Sequence, residues 1–231
     1  MWNVSTEEVR NLVACVDYSE VLTITAGHEE ARKACSDARK YGFRAVVAFP
    51  WNLGVLVDEL KGSGVRAQIP VGFPSGCVTT KTKCAEAEEG LERGATDVDM
   101  VMNVGAFKSR DYELVSADIA AVSAVVRAHG APFKVIIEIG ALSDEEIVTA
   151  SKLVRDSGAD YIKTCTGFAP GRATNHAIEL IRETVGPQVG IKASGGVASI
   201  EDGVGLMRSG ATVVAFRGHL VEQLERIGWK Q

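Results

Sequence analysis

At 231 residues the chain is long enough for one large domain, and 46% of it is apolar, enough for a sizeable core. A formal net charge of −5 without a basic cluster argues against nucleic acid or an anionic membrane surface as the main partner. The five cysteines form no C-x-x-C pair, no apolar run nears the roughly 20 residues of a membrane span, and Met1–Glu8 has neither a basic n-region nor an apolar h-region, so a reduced, cytoplasmic protein is expected, without a disulfide framework, zinc site or signal peptide.

Ser5-Thr6-Glu7-Glu8 reads as a capping box opening a short first helix, placed to plug a barrel floor. Short β-branched runs then alternate singly with helix-compatible stretches. In order they are Val13–Asp17, Arg44–Phe49, Arg66–Val71, Asp97–Asn103, Phe133–Ile139, Tyr161–Thr164, Gly190–Ala193 and Thr212–Phe216. Gly42, Gly94, Gly158 and Gly210 each end a helix before an even-numbered run, as C′ glycines do. Ser143-Asp144-Glu145-Glu146 is a second capping box, and Ser199-Ile200-Glu201-Asp202 resembles a third. Strands alternating with helices imply parallel βαβ units, and eight of them at this length imply closure: an α/β chain, a (β/α)8 TIM barrel with a short N-terminal helix. No linker or low-complexity tract divides the chain, so 1–231 reads as one domain. A doubly wound open sheet would carry G-x-G-x-x-G after its first strand, where Asp17-Tyr18-Ser19-Glu20 stands instead.

In such barrels the active site lies at the C-terminal ends of the strands. Alternation in the fourth run puts Asp97, Asp99, Val101 and Asn103 on the inner face and Val98, Met100 and Met102 towards the helices. Inward acids need cationic partners or a use. Lys163 and Lys192, late in the adjacent sixth and seventh runs, are candidates for both. Two neighbouring ammonium groups repel and burial penalises their charge, so one amine should lose its proton well below the reference of ~10.4. A neutral amine is what attack on a carbonyl requires, with Asp99 placed to move protons. One inward lysine alone reads equally as a solvated strand end or half of an ion pair. Two on adjacent strands with an inward Asp on a third favour catalysis.

Several segments resemble the deoxyribose-phosphate aldolase family: Gly72-Phe73-Pro74-Ser75-Gly76, Asp97–Ala106, Lys134-Val135-Ile136-Ile137-Glu138, Gly158–Phe168 and Lys192-Ala193-Ser194-Gly195-Gly196. The likeness runs through nearly the whole chain, and K-T-x-T-G-F and K-A-S-G-G are its most specific motifs. It implies a class I aldolase that joins acetaldehyde to glyceraldehyde 3-phosphate with neither metal nor organic cofactor. Lys163 would be the Schiff-base lysine, Lys192 the lysine that lowers its pKa, and Asp99 the proton relay. Asp17 matches a further polar active-site position and Thr166 the hydroxyl residue beside the reactive lysine, and both are expected to contact the substrate. Relatives are often dimers, so a homodimer is also an expectation.

The departures cluster around the substrate. The family's D-H-T-L-L becomes Asp17-Tyr18-Ser19-Glu20-Val21, which keeps a hydroxyl at Ser19 and sets an acid at Glu20. V-N-P becomes Ala48-Phe49-Pro50. G-G-I-R becomes Gly195-Gly196-Val197-Ala198, and G-x-S-S becomes Ala215-Phe216-Arg217-Gly218, followed by His219 at the mouth. Backbone N–H groups around Gly167, Gly171, Gly195, Gly196 and Gly218 can cradle an anion, and Arg172 and Arg217 can add charge-assisted bonds. Two readings follow: a phosphate site rebuilt around arginine, or a different acceptor that is carboxylated or uncharged. Each arginine also reads as a helix-start surface charge, Arg217 less so because it directly follows a strand. A ligand-binding barrel without turnover is the competing class, disfavoured by the cost of burying unused charges. Glu138 is expected to hydrogen-bond a lysine, Trp51 to pack, and His28, His129 and His176 to lie on the surface.

Overall fold

A computed structural model describes residues 4–230, without the side chains of Glu20 and Val21. Met1–Asn3, within the segment read as lacking a signal peptide, lie outside it, as does the side chain of the departing Glu20. The strands are β1 (Val16–Val21), β2 (Ala45–Ala48), β3 (Arg66–Val71), β4 (Asp97–Val101), β5 (Phe133–Ile136), β6 (Tyr161–Lys163), β7 (Gly190–Ala193) and β8 (Val213–Phe216). The helices are α1 (Thr6–Ala14), α2 (His28–Tyr41), α3 (Leu53–Leu60), α4 (Thr80–Glu92), α5 (Val104–Lys108), α6 (Tyr112–Ala128), α7 (Asp144–Asp156), α8 (Asn175–Val185), α9 (Ile200–Arg208) and α10 (His219–Arg226). The strands pair in parallel and in sequence order, and β8 closes on β1. The eight-stranded closed barrel expected from the alternation is therefore present.

Its core fills the annulus between strands and helices. Val98, Met100 and Met102 point outward from β4 and its end into that layer, as strand alternation requires. All three expected capping boxes form: Ser5 with Glu8, Ser143 with Glu146, and Ser199 with Asp202. The four C′ glycines have φ of 72° (Gly42), 101° (Gly94), 86° (Gly158) and 116° (Gly210), a region that costs a side chain ~1 kcal/mol or more.

Two expectations need correction. The first strand does not begin at Val13, which is buried in α1; the strand runs from Val16 to Val21. Val9, Leu12 and Val13 follow helical spacing, and that spacing prevails over the β-branched run. Nor does α1 pack chiefly across the barrel floor. It lies along α9, with Leu12 against Gly203 and Glu8 paired to Arg208 at 2.7 Å. No helix among the described residues is long and apolar enough to cross a membrane.

Candidate active site

The barrel interior holds a ladder of charges instead of a stack of aliphatic layers. Arg44, just before β2, donates to Asp17 on β1 and, at 2.5 Å, to Asp97 on β4. Lys134 on β5 donates to Asp97 and lies 3.4 Å from Asp99 Oδ1. Lys192 on β7 lies 2.6 Å from Asp17 Oδ2 and 2.7 Å from Asp99 Oδ2, and its Nζ also donates to Gln68 Oε1 at 3.3 Å. The Asp17 contact is an ion pair without hydrogen-bond alignment. Lys163, the last residue of β6, reaches one carboxylate oxygen, Asp99 Oδ2 at 2.8 Å. Register explains the adjacency of the two lysines: Lys163 and Lys192 are direct partners across β6 and β7.

Their environments divide these groups. Lys163 is pulled down to about 8, first by burial and then by the neighbouring Lys192 ammonium, against the opposing pull of Asp99. Burial also works against the charge on Lys192, but Asp17 and Asp99 outweigh it and hold its pKa above the ordinary value. Asp99 resists the upward push of burial because Lys163, Lys192 and Lys134 surround it, which keeps its carboxyl well below the usual range. Asp17 is lowered in the same way by Lys192 and Arg44. One amine thus gives up its proton more readily than an ordinary lysine, beside a second that stays charged, which is what a nucleophile and its electrostatic neighbour require.

A cavity of about 510 Å³ opens over Lys163 at the C-terminal ends of the strands. Ser19, Thr166, Gly167, Gly195, Gly196, Arg217 and His219 line it. Neither Lys192 nor Asp99 does; both lie beneath the floor that Lys163 pierces. A second cavity of about 480 Å³, between Arg66, Arg127 and Tyr161, lies at the other end of the strands, away from Lys163 and Lys192. Arg217 is exposed and has no side-chain partner among the described residues, and its guanidinium passes 3.9 Å from where a Cβ on Gly167 would stand. Among the described residues it is an unpaired cation, and it stands on the cavity wall. His219 Nε2 lies 2.9 Å from the Val197 carbonyl oxygen.

Other expected contacts fall elsewhere. Asp17 is fully buried below Lys192, off the cavity wall. Arg172 is exposed, and its Cβ packs over Gly196 outside the lining. Gly218 is the N-cap of α10, behind the wall. Glu138 does not reach a lysine. With φ at 56°, its Oε2 accepts from the Thr166 N–H at 3.1 Å and the Thr166 hydroxyl at 2.5 Å, fixing the loop after β6. Trp51 is 56% exposed and tilts against His28, so it packs on one face only. His129 and His176 pair with Glu88 and Asp144 on the surface. Among the described residues no cluster suited to a metal occurs.

Gly171 has a packing role. A Cβ there would stand 2.6 Å from Gly140 Cα, and its φ is 126°. Gly171→Ala should therefore destabilise the protein by roughly 2–4 kcal/mol, from the backbone conformation and the overpacking together. Urea unfolding checks this, and a loss below about 0.5 kcal/mol would contradict it.

Sequence reading missed Arg44, Gln68 and Lys134 as members of the ladder. Lys134 carried the same signal as Lys163, a lysine inside an apolar strand (Phe133-Lys134-Val135-Ile136), and the same rule would have found it. Arg44 opens an apolar run and resembles an ordinary strand-end charge.

Comparison with known proteins agrees with this geometry. Residues 45–212 match the DeoC/LacD family of aldolases. The chain is 40% identical over 206 residues to a deoxyribose-phosphate aldolase of Caldanaerobacter subterraneus subsp. tengcongensis, covering 89% of each chain. It is 44% identical over 192 residues to a deoxyribose-phosphate aldolase of Streptococcus sanguinis, covering 83% of this chain and 86% of the other. Among solved structures, the tetrameric deoxyribose phosphate aldolase of Aeropyrum pernix superposes with a TM-score of 0.86 at 26% identity, over 97% of this chain and 100% of that one. The chain belongs to the DeoC/LacD family of aldolases.

Proposed function

We propose that this chain is a class I aldolase that cleaves 2-deoxyribose 5-phosphate to acetaldehyde and glyceraldehyde 3-phosphate through an imine on Lys163. The observation that carries the reading is that Lys163 alone of the three ladder lysines borders the cavity, with its pKa drawn down to about 8. Its neutral amine attacks C1 of the open-chain aldehyde, and the carbinolamine loses water to give the iminium ion. A base takes the proton of the C3 hydroxyl, the C2–C3 bond breaks, and its electron pair passes into the iminium as an enamine. Glyceraldehyde 3-phosphate leaves. Protonation of the enamine at C2 and hydrolysis then return acetaldehyde and the free lysine. Asp99, bonded to both amines through Oδ2, relays these protons, and Lys192 keeps the charge that favours a neutral Lys163. Five free cysteines support a reducing, cytoplasmic location.

Borohydride added with substrate tests the reading. It should fix a two-carbon adduct on Lys163, located by peptide mass, and an adduct on a different lysine would overturn the assignment.

The phosphate is assigned to Arg217 together with the backbone of Gly167 and Gly195–Val197, all on the cavity wall. Ala198 and Ser199 are excluded because their N–H groups donate to Asp202. Arg217→Gln should raise KM for the phosphorylated sugar about 10- to 100-fold and leave kcat/KM for unphosphorylated deoxyribose within about twofold. Equal effects on the two substrates in steady-state assays would instead favour an acceptor without an anion.

A further inference from the structure

The interior ladder is not electrically balanced. Arg44, Lys134, Lys163 and Lys192 face Asp17, Asp97 and Asp99, four formal cations against three carboxylates. Arg44, Lys134 and Lys192 each contact two of those carboxylates, whereas Lys163 contacts one. A surplus positive charge in a dry interior is relieved by losing a proton from the cation with fewest counter-charges, and a guanidinium cannot be the one to lose it.

We infer that Arg44 is a positioning residue that sets the protonation state of Lys163 from the far end of the ladder. It does so by occupying Asp17 and Asp97, so that their charge is spent before it reaches the amine. With Arg44 present, a neutral Lys163 leaves the ladder with no net charge. Without Arg44 the ladder balances only when Lys163 keeps its proton. Burial and the Lys192 ammonium then act on an amine whose charge has become the needed counter-ion. Arg44 is placed for this. Its side chain is 15% exposed at the floor, Tyr161 faces its guanidinium at 5.9 Å, and the Cys15 thiol lies nearby. Around Lys163 the charged groups are Asp99 from β4, Lys192 from β7, Lys134 from β5 through Asp99, Asp17 from β1, and Arg217 after β8 on the cavity side. Glu138 is engaged by Thr166, and Gln68 on β3 is neutral.

The inference rests on Lys163 being the imine-forming amine, and the test separates the two claims. kcat/KM and borohydride-trapped adduct on Lys163 are measured against pH for the wild type, Arg44→Gln, Arg44→Lys, Asp17→Asn and the double variant Arg44→Gln/Asp17→Asn. In the wild type both quantities should rise with pH through about 8. Arg44→Gln should move that limb upward by about one pH unit, which costs about tenfold at pH 7 and is recovered near pH 9. Arg44→Lys keeps the charge and should keep the limb. Asp17→Asn adds to the surplus and should move it downward. The double variant removes one charge of each sign and should return it to within about half a unit of the wild type.

An unmoved limb in Arg44→Gln, with only a lowered melting temperature, would reduce Arg44 to a structural ion pair. Should Arg44→Gln not fold, the double variant decides, because a limb displaced downward as far as in Asp17→Asn alone would show that Arg44 contributes nothing. No adduct on Lys163 in the wild type would overturn the imine reading itself.

Discussion

Lys163→Met should lower kcat/KM by on the order of 10⁴-fold or more and abolish the borohydride adduct, while the protein stays folded with stability within about 1 kcal/mol of the wild type. The two halves of this expectation have separate causes. Activity is lost because no other amine among the described residues borders the cavity: Lys134 and Lys192 are fully buried, and each is held between two carboxylates. Stability survives because methionine matches the aliphatic stem and the change strands no carboxylate. Asp99 keeps Lys192 at 2.7 Å and Lys134 at 3.4 Å, and the ladder becomes neutral. Removing one partner of a buried pair is costly when it leaves a bare charge, and here it removes a surplus one. Steady-state rates, mass spectrometry of the reduced protein and a thermal melt measure all three quantities. Residual turnover above about 1% would mean that Lys192 can substitute as nucleophile.

The barrel was legible because its signals are local: singly alternating runs, C′ glycines and capping boxes each depend on a few adjacent residues. The reactive lysines were legible for a related reason, since a cation inside a short apolar strand has few uses. What the chain order hides is the pairing. Arg44 joins Asp17 and Asp97, which are 27 and 53 residues away, and only barrel closure brings them together. Asp17 consequently read as a substrate contact when it lies under Lys192. Arg172 and Arg217 were both read as possible anion contacts near glycines, although only Arg217 directly follows a strand. The path of the loop after β6 separates them, turning Arg172 over the back of Gly196 and leaving Arg217 on the wall. Glu138 was displaced from its expected partner by a backbone conformation, positive φ in a non-glycine residue, that spacing does not encode.

Asp99→Asn should lower kcat by roughly 10²- to 10⁴-fold and also destabilise the fold by about 3 kcal/mol, because the same oxygen serves the chemistry and the ladder. Oδ2 accepts from both Lys163 and Lys192, so the carboxylate is the shared counter-charge and the shortest route for a proton between them. The amide oxygen can still accept hydrogen bonds, but it carries no charge and takes up no proton at neutral pH. Nucleophilicity is not what fails. Asp99 is the group that holds the Lys163 pKa up, so its loss lowers that pKa further, and the amine is neutral over a wider range. Adduct formation at pH 7 should therefore persist on Lys163 while turnover collapses, a separation that simple misfolding would not produce. The stability loss has its own pH signature. The folded-state pKa of Asp99 lies well below its ordinary value, so its contribution is fully present above about pH 4 and is lost as pH falls through the folded-state value. The gap in unfolding free energy between wild type and Asp99→Asn should thus narrow below about pH 4. A gap that widened below about pH 4, or a variant with wild-type kcat, would remove Asp99 from the relay.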